Sequence, residues 1–464
     1  MLRIFSHYIP TSIVFLILIE LVVLFSSVYL GVEIRYINAD PDGKLLLEPL
    51  LPKAILFALV MWFSMTAVGL HTRNVVDDFS GMMIRIFLSF ALGSVGMILI
   101  YYIHPVLFFG RGVFALSLLS AFFGILITRT LYQKLDDHQI FRRRILVLGT
   151  GEKASIIQNM SEQARSHGHE VVGFVQIDNS PLKIENDRLL EIETTLLDLA
   201  VNQNIDEIVL AMDDRRQGFP VAGLLECKMK GIVVRDIVHF LERVTGHIEL
   251  DVLHPSVMIF SSGFTHAVSP GGGKRIFDVV VSLIILVLAS PIMLLTAAAI
   301  WLSSMGRDPV FYRQIRIGLC DAPFHVLKFR SMRVDAEKNG AQFAKKKDSR
   351  VTMIGAFIRK TRIDELPQLL NVLKGDMSFV GPRPERPEFV LNFQQTIPHY
   401  SLRHVVKPGI TGWAQISYPY GDNIEDTRNK LQYDLYYIKN YSSFLDMTIL
   451  FQTLQVVLFG QGAR

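Results

Sequence analysis

Four long apolar runs crowd the first 135 residues of this chain, at 12–31, 54–70, 82–103 and 113–131. Each approaches the ~20 residues that a helix needs to span a ~30 Å hydrocarbon core. In lipid every backbone N–H and C=O must be satisfied within the protein, so such runs have few outcomes besides packed helices. The first run lacks a small-residue cleavage site and three more follow it, so it is expected to stay as a membrane segment. Half of the 464 residues are apolar and only 19% are charged, a balance foreign to a disordered chain. The expectation for residues 1–135 is a four-helix transmembrane bundle.

Arg142-Arg143-Arg144 forms the densest cationic cluster near a membrane end. The excess of cations on the inner side makes that edge cytoplasmic, and four crossings place the N-terminus inside as well. Glu20, Arg85 and Arg129 fall within or beside the runs, where pairing between helices or snorkelling to headgroups is expected over a polar track. A fifth run, 279–302, carries Ser290-Pro291 in its middle, and proline removes a helical hydrogen bond. Lys274 and Arg275 precede it; Arg307, Arg313 and Arg316 follow it. Cations on both sides fit a re-entrant helix over 276–303 that enters, breaks at Ser290-Pro291 and returns, the Ser290 hydroxyl serving a freed backbone group. On this run alone a kinked crossing helix stays open.

Residues 142–240 alternate short β-branched runs (145–149, 170–176, 207–212, 232–237) with helical stretches (152–167, 189–202, 221–230). This pattern implies a parallel sheet in a Rossmann-like cytoplasmic domain. Gly149-Thr150-Gly151-Glu152-Lys153-Ala154 fits G-x-G-x-x-A, and Asp178 falls where a ribose-binding carboxylate would lie. Glycines also serve tight turns for steric reasons, and Glu152 sets a negative charge where a pyrophosphate would approach. A structural or regulatory role is therefore expected there. Residues 241–273, rich in Ser, Gly and Pro from 261 onward, read as a linker.

Several function classes fall away on composition. Lysine and arginine exceed aspartate and glutamate only 47 to 43, so no field for nucleic-acid binding exists. Two cysteines make neither a disulfide framework nor a cysteine-rich zinc site. No HExxH pair occurs, and Gly271-Gly272-Gly273-Lys274 is followed by Arg275 rather than the Ser or Thr of a phosphate loop.

The remaining chemistry sits after the fifth run. Residues 310–318 and 323–332 read as a hairpin, with Phe324, Val326, Lys328 and Arg330 on one face by the period-two rule. Next comes Arg359-Lys360-Thr361-Arg362-Ile363-Asp364-Glu365-Leu366-Pro367-Gln368, then an apolar stretch closed by Gly375, a helix C-cap. In isolation Asp364-Glu365 would be a helix cap and first turn. Three cations just upstream and Pro382-Arg383-Pro384 downstream argue otherwise, because flanking prolines hold the Arg383 guanidinium in place. Adjacent carboxylates among several cations suit a magnesium-assisted reaction at a diphosphate.

At these residues residues 274–464 resemble the catalytic domain of the bacterial polyprenyl-phosphate hexose-1-phosphate transferases, the monotopic phosphoglycosyl transferases. The matching stretches are Lys274-Arg275-Ile276-Phe277-Asp278, Ser290-Pro291, Lys328-Phe329-Arg330-Ser331-Met332, Asp364-Glu365-Leu366-Pro367-Gln368, Gly381-Pro382-Arg383-Pro384 and Pro408-Gly409-Ile410-Thr411-Gly412-Trp413-Ala414-Gln415. The membrane segments and Rossmann-like domain resemble the large members of the group. The first and last residues resemble exopolysaccharide sugar transferases of exosortase-associated systems. The implied fold is a membrane protein, α plus α/β, ending in an α+β catalytic domain with a re-entrant helix-break-helix.

The resemblance implies a UDP-sugar donor and undecaprenyl (polyprenyl) phosphate as acceptor. Asp364 would attack the sugar-bearing phosphate and expel UMP, and the lipid phosphate would then attack the phosphosugar–aspartyl intermediate. Glu365, with Asp364, would hold Mg²⁺, and Lys328, Arg330, Arg362 and Arg383 would contact phosphates. It further implies a multi-pass protein of the bacterial inner membrane, its catalytic domain on the cytoplasmic face among inner-membrane lipids, with no nucleic-acid partner. The large members suggest a homodimer. Glucose and galactose are the first sugars by family habit, with N-acetylated sugars behind. Two other readings stand beside this one. A membrane-anchored sugar-nucleotide dehydratase or epimerase usually relies on Tyr-x-x-x-Lys, a spacing absent from this chain. A non-enzymatic scaffold for polysaccharide assembly would leave the dyad as a mere cap.

Overall fold

The computed structural model describes residues 2–4, 7–9, 11–37, 49–71, 79–137, 142–163, 169–177, 181–214, 218–261, 263–264, 272–336, 348–419, 421 and 423–459. It divides into two compact units, the first mainly residues 8–208 and 214–234, the second mainly 209–213 and 235–464.

After two short paired strands, Leu2–Ile4 and His7–Ile9, come four apolar helices, α1 (Thr11–Arg35), α2 (Leu50–Ala67), α3 (Phe79–Ile103) and α4 (Arg111–Asp137). All four are long and apolar enough to cross a membrane. Leu24 and Val28 of α1, Phe57 and Met61 of α2, Phe90 of α3 and Ile125 of α4 share one core. Phe15, Leu18, Phe87, Ile98 and Phe123 face outward. Helices apolar on every side suit a lipid surround better than water. Glu20 is fully buried, with Oε1 2.8 Å from Arg129 Nε and Oε2 2.7 Å from His71 Nε2. Arg85 Nη1 donates to Val68 O at 3.1 Å. The charges in the apolar runs thus tie elements of the unit together.

Four strands follow, β1 (Arg143–Leu148), β2 (His169–Val175), β3 (Glu207–Leu210) and β4 (Val233–Asp236), in the sheet order β2-β1-β3-β4. β1 and β2 run parallel, from Arg143↔His169 to Leu148↔Val175. Ile145, Leu146, Val147 and Leu148 are all fully buried, as in a strand covered on both faces. Helices α5 (Glu152–Gln163), α6 (Leu196–Asn202) and α7 (Val221–Met229) lie between the strands. α6 starts later than the apolar pattern suggests, because Leu189 bridges to Phe174 and Thr195 caps the helix at Asp198 N, 3.1 Å away. At the glycine turn Lys183 N donates to Thr150 O (2.9 Å), and the Lys183 ammonium pairs with Glu152. Asp178 lies outside the described residues.

The second unit begins with α8 (Ile237–Thr245), capped by the Asp236 carboxylate at Val238 N and closed by Gly246 at φ 72°. Residues 241–245 therefore form part of a packed helix, where composition suggests a linker. The reason is local: Ile237, Val238, Leu241 and Val244 recur at helical spacing and are buried. Glu242, 1% exposed, takes Lys439 Nζ at 2.6 Å and Asn440 Nδ2 at 2.7 Å.

Next comes α9 (Gly272–Ser303), and it is not interrupted at Ser290-Pro291. Pro291 has no N–H for the carbonyl four residues back, which is Val287 O, and the Ser290 hydroxyl donates to that oxygen at 2.8 Å. The hydroxyl thus serves the freed carbonyl as expected, and helical structure is continuous through Pro291. Near the N-terminal end, Lys274 Nζ pairs with Asp446 Oδ2 at 2.8 Å, and Asp278 accepts from Ser378 and Phe379. Near the other end, Ile300 packs against Phe329 and Ile358. Between the anchors Leu283, Ile284, Val287, Leu288, Leu294 and Leu295 are exposed.

The rest alternates short elements: the antiparallel hairpin β5 (Phe311–Ile317) and β6 (Pro323–Phe329), α10 (Met353–Lys360), a 3-10 turn (Ile363–Glu365), α11 (Gln368–Lys374) and β7 (Ser378–Val380). Then come α12 (Pro387–Thr396), a second 3-10 segment (Tyr400–Val405), β8 (Gly409–Thr411), α13 (Trp413–Ser417), α14 (Ile424–Lys439) and α15 (Ser443–Phe459). β7 and β8 pair in parallel, Ser378 with Gly409 and Val380 with Thr411. A Cβ on Gly409 would stand 2.1 Å from Gly381 N, so this approach needs glycine.

Candidate active site

Strand β6 separates its faces as the alternation predicts. Val326 packs on Val372 and Met377, while Phe329, on the opposite face, meets Ile300 and Ile358. Lys328 shares the Val326 face. α11 is locked to this strand by Asn371, whose Nδ2 donates to His325 O (2.7 Å) and whose Oδ1 accepts from Leu327 N (3.0 Å). Arg275 donates to the carbonyls of Val372 (2.5 Å) and Leu373 (2.6 Å), and Gly375 closes the helix at φ 101°. The turn that opens α11 is thereby held facing Lys328.

That turn carries the carboxylates. Arg362 enters it at φ 58°, a left-handed geometry that costs a non-glycine residue about 1 kcal/mol. Asp364 is 8% exposed. Neither carboxylate caps α11: Pro367 occupies the cap position, with no side-chain cap bond. Glu365 Oε1 accepts from Arg383 Nη2 at 2.8 Å and Lys328 Nζ at 3.2 Å, and Arg362 Nη1 is 3.8 Å from Oε2. Asp364, by contrast, makes no ion pair within 4 Å among the described residues.

The two groups are driven apart electrically. Burial raises the Asp364 carboxyl and the adjacent Glu365 charge raises it further, against weaker pulls from Lys328, Arg383 and Arg359. Burial would also raise Glu365, but Arg383, Lys328 and Arg362 together outweigh it and hold that carboxyl well below the usual range. Burial lowers the Lys328 ammonium, and Glu365 opposes the shift.

A cavity of about 810 Å³ opens over the pair. Eleven lysines and arginines line it against four carboxylates, so it favours an anionic occupant. Lys328, Arg330, Arg362 and Arg383 all reach it, though Arg330 also pairs with Asp308. Ser290 and Pro291 are not among its lining residues; they lie in the exposed middle of α9. The structure adds Arg316, Arg359, Arg403, Lys430 and Asp434 to the wall. Of these only Arg359 carries a sequence signal, its place in the cationic run before Asp364. No set of three His, Cys, Asp or Glu fit to cage a metal occurs among the described residues. Two adjacent carboxylates, with Glu365 Oε2 beyond hydrogen-bond reach of Arg362, still fit magnesium that takes its other oxygens from substrate phosphates and water.

Apolar helices of membrane length and a cation-lined cavity around a carboxylate pair define a membrane-associated enzyme built for a phosphate-bearing ligand. The bacterial sugar transferase family matches residues 271–460, and the chain belongs to that family. It is 34% identical over 331 residues to the UDP-glucose:undecaprenyl-phosphate glucose-1-phosphate transferase of Escherichia coli, covering 69% of this chain and 68% of that one. Over 243 residues it is 45% identical to the UDP-N-acetylgalactosamine-undecaprenyl-phosphate N-acetylgalactosaminephosphotransferase of Aeromonas hydrophila, spanning 52% of this chain and 56% of the relative's length. An uncharacterized sugar transferase of Haemophilus influenzae is 29% identical over 77% of this chain and 78% of its own.

Proposed function

We propose that the chain transfers a sugar-1-phosphate from a UDP-sugar to undecaprenyl phosphate, with Asp364 as nucleophile. The observation that carries this is the asymmetry of the dyad: three cations surround Glu365, whereas Asp364 is buried, raised in pKa and without an ion pair among the described residues. A carboxylate clamped by cations is a poor nucleophile, and one with a raised pKa in a dry site is a better one. An Asp364 oxygen attacks the phosphorus that bears the sugar, and the phosphoanhydride bond breaks to release UMP. The lipid phosphate oxygen then attacks the same phosphorus, frees Asp364 and gives the polyprenyl diphosphate sugar. Lys328, Arg362 and Arg383 take up charge on the phosphoryl oxygens, with Arg330 behind them. Magnesium bound by Glu365 and Asp364 would supply charge neutralisation on the diphosphate.

In this reading α9 dips into the inner leaflet and returns. Support comes from its ends: Asp278 near the start bonds Ser378 and Phe379, Ile300 near the finish packs with Phe329 and Ile358, and all of these belong to the same compact unit. A crossing helix would present its ends on opposite sides of the bilayer. The cationic Arg142-Arg143-Arg144 after α4 supports a cytoplasmic setting for the chain beyond it, where a sugar nucleotide would meet a lipid phosphate at headgroup depth. The parallel sheet serves as a Rossmann-like domain of structural or regulatory role, and the product would begin an exopolysaccharide. The test is mass spectrometry of enzyme quenched with donor alone. A hexose-phosphate adduct on the peptide holding Asp364, absent in Asp364→Asn, is expected; its absence from wild-type enzyme that releases UMP would overturn the mechanism.

A further inference from the structure

Arg383 reaches Glu365 from a segment that prolines deprive of N–H groups. Four successive carbonyls hold that segment instead: Pro382 O accepts from Gly409 N (2.9 Å), Arg383 O from Arg403 Nη2 (2.9 Å), Pro384 O from Arg316 Nη1 (3.0 Å) and Glu385 O from Ile317 N (3.0 Å). The bond at Arg383 comes from a side chain with no contact to the dyad. Arg403 is 6% exposed, and its other contacts are internal: Nη1 donates to the Tyr400 hydroxyl at 2.6 Å, and Nη2 forms an ion pair with Asp434 Oδ2 at 2.9 Å. Asp434 is 2% exposed and Tyr400 1%.

We propose that Arg403, braced by Asp434, is a positioning residue that sets the Arg383 guanidinium on Glu365. The inference rests on the reading of Glu365 and Arg383 given above. Prolines on both sides restrict the torsions around Arg383 but not the orientation of the segment as a whole. A planar guanidinium reaching three acceptors at once fixes that orientation, and a lysine ammonium at the end of a flexible stem does not reproduce the fork. Small misplacements of a charge that acts on a transition state cost orders of magnitude in rate. A buried Asp–Arg pair bonded to the Arg383 carbonyl is placed to control that charge.

The experiment uses the full chain purified in detergent and compares Arg403→Lys and Asp434→Asn with wild type. Arg403→Lys keeps a cation beside Asp434 and so keeps the buried charge paired. The expected result is a kcat for sugar-phosphate transfer about 10–100-fold lower, with KM for the UDP-sugar within about threefold. In an Arg383→Lys background the same Arg403→Lys change should cost less than about threefold, since Arg403 acts through Arg383. Equal losses in both backgrounds, or a loss confined to KM, would overturn the proposal. A second measurement needs no turnover: phenylglyoxal modification of Arg383, read by peptide mass spectrometry, should speed up more than about threefold in both variants. Unchanged labelling overturns the brace, whereas wild-type protein that turns over no UDP-sugar overturns only the functional reading.

Discussion

Asp278, near the start of α9, accepts hydrogen bonds from the Ser378 hydroxyl and the Phe379 N–H, each at 3.0 Å. A carboxylate of the long apolar helix thus grips the head of β7, the strand that runs on toward Arg383. Hydrogen bonds to a charged group are worth about 1.5–3 kcal/mol. Asp278→Ala should therefore destabilise the protein by about 2 kcal/mol, seen as a lower thermal midpoint in detergent, and should lower turnover as well.

Asp364 attacks only as the carboxylate. Because burial and the Glu365 charge raise its pKa, activity should rise with pH through a value above the ordinary ~3.9 of aspartate and then level off. Glu365→Gln removes one of the two raising causes, so the acid limb should move down. The pH dependence of UMP release with donor alone reads this. A limb that moves up in Glu365→Gln would contradict the assigned electrostatics.

Arg383 donates to Glu365 and faces the cavity. Arg383→Ala should lower kcat by roughly 10²–10³, the usual cost of deleting one preorganised charge donor. Arg330→Ala should cost less in rate, because Asp308 already engages that guanidinium. Steady-state kinetics on both variants checks the order.

Chelation of divalent ions should abolish transfer, and added Mg²⁺ should restore it. In Glu365→Gln the half-saturating Mg²⁺ concentration should rise, since one of two carboxylate donors is lost. An unchanged requirement would remove Glu365 from the metal.

A single cysteine at Arg307, just past α9, should resist a membrane-impermeant thiol reagent applied from the periplasm. Ready labelling would mean that α9 crosses. Ser290→Ala leaves Val287 O without its hydroxyl donor and should cost about 1 kcal/mol.

Local patterns carried much of this site. The apolar runs, the β6 alternation that sends Lys328 and Phe329 to opposite faces, the Gly375 cap and the Asp364-Glu365 pair are all short-range features. Arg316, Arg403 and the α14 pair Lys430 and Asp434 come from three separate elements, and no spacing announces residues that only tertiary packing brings to one wall. Pro291 was legible in part. Its lost hydrogen bond and the Ser290 hydroxyl that serves Val287 O were both legible, but the continuity of helical structure through that position was not. Residues 241–245 were obscured by their neighbours, since composition averages over the short apolar repeat that buries α8.

The tethering of residues 382–385 through their carbonyls has a consequence for how motion there becomes visible. Pro382 and Pro384 have no amide proton to exchange, so deuterium uptake is silent at both. A carbon-13 label on the Arg383 carbonyl would instead give an isotope-shifted infrared band, whose frequency follows the strength of the bond it accepts.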